Sequence, residues 1–572
     1  MAFNILAINP GHNGSAALIS DGEIVFYGEE ERFSKMKYDG NPFKAMLAVL
    51  QNFPVDELVI GGTTEQLPSL TWTNENPYTA LVRKYNPNVK TIIMGGMHHL
   101  GHAANAFYNS GFKTAAAVVV DGAGSYHQEK MGKEENDPVT GGFETESIFA
   151  CSYPSNITAV YKRYSGNDTI EYDNGLRVFD DTVTITKAYE AVTDYLGFHF
   201  IEAGKTMGLA PYGHYDENIP PLFVQDRGNK NILRPNYPAG AYINENRFPY
   251  LMRYGDPKAW HNDETMVDQR TKNIAWHVQQ ETQQLVAKLI QKAHDDTGET
   301  NIVLSGGFAL NCVANYFYKK QFPNLNIYVD PLAHDGGTAI GLARLSWFSK
   351  NEDARPNRLK NLYLSSNPDY SEVDLALEKV DIIKSKDVTY SDVADLLEQG
   401  NIVALFGGRA EGGPRALGNR SILFDPRVKD GKAIVNKVKG REWFRPFAGS
   451  VLKEYAKEWF DLAGMDESPF MMYAVDVQKD KLDVIPSITH VDGTCRVQTV
   501  SEEDNEHYYK LIKAFYDKTG VPIVFNTSFN LAGDPLVENI IDAVDTIVKS
   551  EIKYLYLPEI GKLIYKDDPV QV

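Results

Sequence analysis

Cysteine is scarce in this sequence, with three in 572 residues, at Cys151, Cys312 and Cys495. An odd and scattered set excludes a disulfide framework and a zinc site built from cysteine pairs. No run of about 18 apolar residues occurs, so no membrane-spanning helix is expected. The first residues, MAFNILAINPGHNG, lack the basic and long apolar stretches of a secretory leader, and a cytoplasmic location is expected. Positive charge is also short: 57 Lys and Arg against 76 Asp and Glu leave a net charge of −19. That balance excludes a general binder of nucleic acid or of anionic membranes, both of which need a cationic surface.

With 43% apolar and 23% charged residues the chain has the composition of a globular protein. It is too long for one core, so two or more domains are expected. Short apolar runs ending in glycine turns recur through the first 350 residues. Phe3–Ile8 leads into Asn9-Pro10-Gly11-His12-Asn13-Gly14, and Ala115–Val120 into Asp121-Gly122. Ile302–Leu304 leads into Ser305-Gly306-Gly307, and Asp335-Gly336-Gly337 precedes the small-residue run Thr338–Ala343. Buried strands that end in such turns indicate an α/β architecture. Residues 3–29 are expected to include a β-hairpin through Ser20-Asp21-Gly22. Several of these loops in one segment suggest an actin-like ATPase fold, although any one of them is also an ordinary strand-to-helix turn.

Residues 350–360 are charged, contain Pro and lack apolar periodicity, so a boundary is placed there, giving domains 1–355 and 356–572. Beyond it Ser371–Lys379 and Ser391–Gln399 read as helices, and Ile402–Phe406 and Val521–Phe525 as strands, so the second part is α/β as well. Residues 214–270 are rich in Pro, Asn and Tyr and read as an insertion.

Two constellations carry chemistry. His98-His99-Leu100-Gly101-His102 opens an expected helix running to about Ser110. His98 and His102, four apart, share a face and can grip one metal ion, whereas His99 points elsewhere. Asp121 lies at the end of an apolar strand, and Asp335 would add a second carboxylate. Two His and two Asp suit Fe(II), Mn(II) or Zn(II) better than Ca(II). The plainer alternative is a pair of surface or capping histidines, and spacing alone does not bring Asp335 to the others. The second constellation is basic. Residues 409–445 hold ten Lys and Arg (Arg409, Arg415, Arg420, Arg427, Lys429, Lys432, Lys437, Lys439, Arg441, Arg445) against four acids, a local excess of six. They sit among Gly, Pro and aromatic residues rather than on a polar helix. Guanidinium forks and ammonium groups of this kind bind phosphate oxygens. Arg496 is a candidate to join them, and Asn526-Thr527-Ser528-Phe529-Asn530 could add neutral hydrogen bonds.

These motifs, with Glu29-Glu30-Glu31-Arg32-Phe33, Glu202-Ala203-Gly204-Lys205-Thr206-Met207-Gly208-Leu209-Ala210-Pro211-Tyr212-Gly213, Gly306-Gly307-Phe308-Ala309-Leu310-Asn311, Gly413-Pro414-Arg415-Ala416-Leu417-Gly418-Asn419-Arg420 and Arg445-Pro446-Phe447-Ala448, span nearly the whole chain. In them the sequence resembles the O-carbamoyltransferases of nodulation-factor and antibiotic biosynthesis. The resemblance implies an N-terminal domain of the actin-like ATPase fold, like the tRNA threonylcarbamoyl-transfer subunit, and a YrdC-like C-terminal domain. It implies that ATP, with Mg, and carbamoyl phosphate form carbamoyl-adenylate, from which an alcohol takes the carbamoyl group. Lys439, Arg415, Arg420, Arg441, Arg445 and Arg496 would hold phosphates, with Asn526, Ser528 and Asn530 beside them. His98, His102, Asp121 and Asp335 would hold the metal, iron being implied. Gly306, Gly307 and Asn311 would line the adenylate, and His12 is the candidate general base or orienting group, with a turn-capping role as the alternative. The expected partner is a small hydroxylated acceptor, with no extended nucleic-acid or membrane surface, and a homodimer is compatible with the family. Carbamoyl-type modification of a nucleotide or nucleic acid, and a non-catalytic ATP-binding module, are the competing readings.

Overall fold

The computed structural model describes residues 2–64, 75–130, 139–165, 170–171, 177–180, 183–223, 232–236, 240–243, 267–353, 357–378 and 382–566. These divide into two compact units, one made of the described residues of 2–30 and 38–359, the other of 31–37 and 360–566.

The first unit is built on two mixed sheets with the same plan. In one, the strands Asn4–Asn9, Ser15–Ser20, Glu23–Glu29, Glu57–Ile60 and Lys90–Ile93 lie in the spatial order third, second, first, fourth, fifth. The first three form an antiparallel meander, and the last two join parallel to the first. Thr114–Val120, Val139–Ser152, Asn156–Ser165, Asn301–Ser305 and Asn326–Val329 repeat that order and those directions in the other sheet. Short further strands extend the second sheet. The first strand of each sheet is central and buried almost throughout, which is why both read as unbroken apolar runs rather than alternating ones.

Each sheet is followed by a helix that packs on the other sheet. The helix His98–Ser110 lies on Thr114–Val120 and Asn301–Ser305; the helix Thr338–Phe348 lies on Asn4–Asn9 and Ser15–Ser20. The two helices also pack on each other. A methyl group on Gly341 would sit 2.1 Å from the Gly101 carbonyl oxygen, so only glycine allows this approach. Within the first helix Ala103, Ala106 and Phe107 face a core shared with Val119, Val303 and Phe348. The helix ends at Gly111 with φ +74°, a left-handed cap that glycine adopts without a Cβ penalty. Helix and hairpin are where the sequence placed them. The 29-residue helix Gln269–Thr297 is unforeseen, because it begins at the edge of the irregular stretch 214–270. Leu233–Asn236 and Gly240–Ile243 form a two-stranded ladder within that stretch, most of which lies outside the described residues.

The second unit is a ten-stranded mixed sheet. It runs from Ile383–Asp387 through Lys562–Lys566, Tyr554–Leu557, Val403–Phe406, Arg420–Phe424, Ile523–Ser528, Ala448–Leu452, Thr494–Val500 and Ala474–Val477 to Phe460–Asp461. Glu372–Glu378 and Ile540–Val548 help close one apolar core over it, with Ile422, Phe529, Leu555 and Ile564 from the sheet side. Tyr390–Glu398 begins with a capping box formed by Thr389 and Asp392.

The division is not a single cut. The segment 31–37 belongs to the second unit, where buried Arg32 donates through Nη1 to the Glu411 carbonyl (3.3 Å) and through Nη2 to that of Gly413 (2.6 Å). Local periodicity cannot reveal such an exchange, because it depends on contacts between residues far apart in the chain. Among the described residues no helix is long and apolar enough to cross a membrane.

Candidate active sites

The repeat of the first unit brings the metal candidates together. His98 and His102 stand on the first turns of their helix, Asp121 directly follows the first strand of the second sheet, and Asp335 begins the turn that starts Thr338–Phe348. His98 Nε2 lies 3.2 Å from His102 Nε2, 3.4 Å from Asp121 Oδ2 and 3.6 Å from Asp335 Oδ1. His102 Nε2 lies 3.7 Å from Asp335 Oδ1, and the four side chains offer donor atoms that all fall within 4.8 Å of one another.

Charge dictates what this centre accepts. Burial alone would pull the His98 imidazolium down, but Asp335 and Asp121 outweigh it and push His98 up to about 10. Burial alone would raise the two carboxyls, yet the facing histidines bring both well below the usual carboxylate range. Two carboxylates confined with two imidazoles need positive charge between them. A divalent cation on neutral imidazoles supplies that charge, so the donor set fits a metal ion.

Neighbouring groups orient the donors. Asp121 Oδ1 accepts from the Gly307 N–H at 3.0 Å, and its own N–H donates to the Thr145 carbonyl. Ser305 Oγ is 3.3 Å from His102 Nδ1. Gly306 has φ +86°, and a methyl group there would lie 2.3 Å from the Val120 carbonyl oxygen, so this turn requires glycine. His99 points away as expected: Nδ1 is 2.7 Å from Ser147 Oγ, and burial pushes the imidazole down to about 4.

His12 reaches the rim of the same centre. Its Nδ1 is 4.0 Å from Asp335 Oδ2, its side chain is 47% exposed, and its ring stacks on Tyr38 at 5.6 Å between centroids. Gly306 and Gly307 lie beside Asp121. Asn311 does not fit its expected part. Its Oδ1 caps the Ala314 N–H at 3.0 Å and its amide exchanges hydrogen bonds with Gln279, so the side chain is committed to the start of the next helix.

The second unit gathers several cations close together, with Glu442 Oε2 3.5 Å from Arg445 Nη1. Lys439 is buried at the end of Gly431–Lys439; its Nζ donates to the Ser528 carbonyl, to Ser528 Oγ at 3.2 Å and to Asn530 Oδ1 at 3.0 Å. Arg441 reaches Thr527 Oγ1 and Ser528 Oγ, each at 3.3 Å. Burial, then Arg441, Arg445 and Lys37, push the Lys439 ammonium well below its usual range. Burial, then Arg445 and Arg496, do the same to Arg441, against the smaller pull of Glu442. Lys37 comes from the exchanged segment 31–37 and carries no motif in the sequence.

Two expected phosphate or nucleotide residues do something else. Arg420 is fully buried; its Nη1 donates to the carbonyls of Gly407 (2.6 Å), Asn419 (2.9 Å) and Gly408 (3.2 Å), and its Nη2 to that of Glu538 (3.2 Å). The guanidinium also lies 3.7 Å over the Phe406 ring, so these contacts clamp the loop. Asn526 is turned into the sheet, with its amide on Ser450 Oγ (3.0 Å), Ala416 O and Gln498 Oε1. Arg415 is half-buried in the loop before Arg420. Glu411, which the sequence did not single out, holds that loop: one carboxylate oxygen accepts from the N–H groups of Leu417 and Asn419 at 2.7 Å and of Arg420 at 3.2 Å.

Known proteins share this arrangement of sequence. Residues 70–344 match the family described as carbamoyltransferase N-terminus, and residues 394–563 match carbamoyltransferase C-terminus. Nodulation protein NolNO of Sinorhizobium fredii is 30% identical over 95% of this chain and 77% of its own length. The 3'-hydroxymethylcephem-O-carbamoyltransferase of Amycolatopsis lactamdurans is 24% identical over 94% of this chain and 95% of its own. Among solved structures, full-length HypF in its phosphate- and nucleotide-bound form aligns at 11% identity and TM-score 0.32 over 62% of this chain; the match spans about half of HypF, 47%. With both halves matched and relatives aligned along nearly its whole length, the chain is an enzyme of the carbamoyltransferase family.

Proposed function

We propose that this enzyme is an ATP-dependent O-carbamoyltransferase. Its second unit cleaves carbamoyl phosphate with water to carbamate and phosphate and joins the carbamate oxygen to the α-phosphorus of ATP (with Mg), displacing pyrophosphate and giving carbamoyl-adenylate; its first transfers the carbamoyl group to a hydroxyl of a small metabolite or sugar, releasing AMP. The cluster of buried Lys439 with partly exposed Arg441, Arg445 and Arg496 supports this reading best: crowded cations are relieved by a polyanion, and two phosphorylated substrates supply one. The named activity of the Amycolatopsis relative supports a hydroxyl acceptor. The repeated strand order of the first unit supports an actin-like ATPase fold, and the second unit is read as YrdC-like.

In this reading His98, His102, Asp121 and Asp335 hold iron, with Mn or Zn as the alternatives. The bound ion supplies Lewis-acid chemistry at the carbamoyl group. His12, at the open side of the centre, takes the proton of the acceptor hydroxyl as its oxygen bonds to the carbamoyl carbon. Gly306 and Gly307 let the adenylate approach the backbone beside Asp121. In the second unit Lys439, Arg441, Arg445 and Arg496 hold phosphate oxygens, with Ser528 and Asn530 setting the Lys439 ammonium. The test is incubation of the full chain with ATP and carbamoyl phosphate, reading AMP and pyrophosphate, followed by a screen of alcohols for the mass of one added carbamoyl group with Fe(II) supplied. Absence of nucleotide turnover under every metal condition sinks the proposal.

A further inference from the structure

Three of the four donors belong to elements packed on the second sheet of the first unit: His98 and His102 on their helix, and Asp121 at a strand end. Asp335 differs. The helix it precedes packs on the first sheet, and so does its turn. Ser15 Oγ donates to the Gly336 carbonyl at 2.8 Å, and the Gly336 N–H donates to His334 Nδ1 at 3.0 Å. With Nδ1 accepting, the proton of the neutral ring sits on Nε2, which lies 2.8 Å from Glu29 Oε1. Tyr27 donates its hydroxyl to the same Glu29 oxygen at 3.3 Å, and a methyl group on Gly336 would come within 2.5 Å of that hydroxyl. Ser15, Tyr27, Glu29 and His334 are all buried.

A carboxylate kept out of water is costly unless its partners use it. Here the partners are fixed to the one turn that carries a metal donor, on both sides of that donor in sequence. We infer that Glu29, acting through His334, with Ser15 on the following peptide, is a positioning device that sets the Asp335 carboxylate against the three donors of the other sheet. Groups that orient metal ligands in this way typically change metal affinity by about 10–100-fold when removed. The inference rests on the metal reading proposed above, and it assigns no contact with substrate to Glu29, His334 or Ser15.

The test is anaerobic titration of the metal-free full chain with Co(II), followed by its visible absorption bands. Wild type binds one Co(II). Glu29→Ala lowers that affinity by about 10–100-fold and changes the band intensities, because one carboxylate is no longer held in place. Glu29→Gln keeps an oxygen facing His334 and restores most of the affinity, which a merely structural loss would not do. Should Glu29→Ala fail to fold, Ser15→Ala gives a smaller loss in the same direction. If wild type binds no Co(II), the metal reading falls and this inference with it. If wild type binds while Glu29→Ala or, in its place, Ser15→Ala matches it in affinity and spectrum, the positioning role alone is overturned. Glu29→Gln binding as weakly as Glu29→Ala overturns it as well.

Discussion

The two centres solve opposite electrostatic problems. In the first unit, buried charges of both signs face one another, so each holds its partner ionised: His98 is pushed up, and Asp121 and Asp335 are pushed down. In the second, burial and then neighbouring cations push Lys439 and Arg441 down, and Glu442 offsets this only in part at Arg441. A compensated site of this kind would exchange its protons for a metal, and a site rich in cations would be relieved by an anion. On the proposed function, that is how a chain of net charge −19 would handle phosphates.

The sharpest way to break this comparison is to disable each centre separately. Lys439→Ala should lower carbamoyl-adenylate formation, read as pyrophosphate release, by about 10²–10³-fold, the usual effect of removing a group that stabilises developing charge. His98→Ala should leave carbamoyl-adenylate formation, read as pyrophosphate release, intact and abolish carbamoyl transfer with its release of AMP. A single-turnover assay that finds both variants blocked at the same step would remove the division of labour.

A smaller effect concerns a buried carboxylate near the first centre. Burial lifts Asp330 to about 6, although the amides of Asn105 and Asn109 and the Leu332 N–H donate to it. A carboxyl with a raised folded pKa stabilises the fold fully below its unfolded value near 4, and that stabilisation is lost as pH rises to about 6. The loss is at most about 3 kcal/mol. Urea unfolding of wild type and Asp330→Asn should show their stability difference falling across that window. A difference that stays flat from pH 4 to 6 would contradict the assignment.

Metal should stabilise the first unit by mass action. At a hundredfold excess of free ion over its Kd the gain is about 2.7 kcal/mol, and it should vanish in His102→Ala. Differential scanning with and without chelator measures it. The smallest expected change is in the second centre without ligand. Lys439→Met replaces a crowded buried cation with an apolar chain, so stability should be unchanged or higher by about 1 kcal/mol. The same variant should lose the thermal stabilisation that pyrophosphate gives wild type. Strong destabilisation of the ligand-free variant would mean that its bonds to Ser528 and Asn530 outweigh the repulsion.

Much of this was legible in the residues. The helix His98–Ser110 and its paired imidazoles follow from spacing alone, because i and i+4 share a face whatever the rest of the chain does. The strands ending at Asn9, Val120 and Ser305 follow from apolar runs closed by glycine. Arg420 and Asn526 misled because their motif matches a functional pattern while their side chains serve the loop and the sheet; residue type does not state which way a side chain is buried. Glu29 stood in a recognised motif without an assigned role and His334 carried no local signal, as their partnership depends on two strands and a turn from distant parts of the chain.

By itself, the sequence determined the α/β class, a break at residues 350–360, the paired histidines and the basic segment, because each rests on local periodicity, composition or charge density. Only the tertiary structure decided that Asp335 meets His98, His102 and Asp121, that residues 31–37 join the second unit, and which cations of 409–445 gather around Lys439. Those depend on burial and on contacts between remote residues, and burial is what turns a side chain's charge into a force on its neighbours.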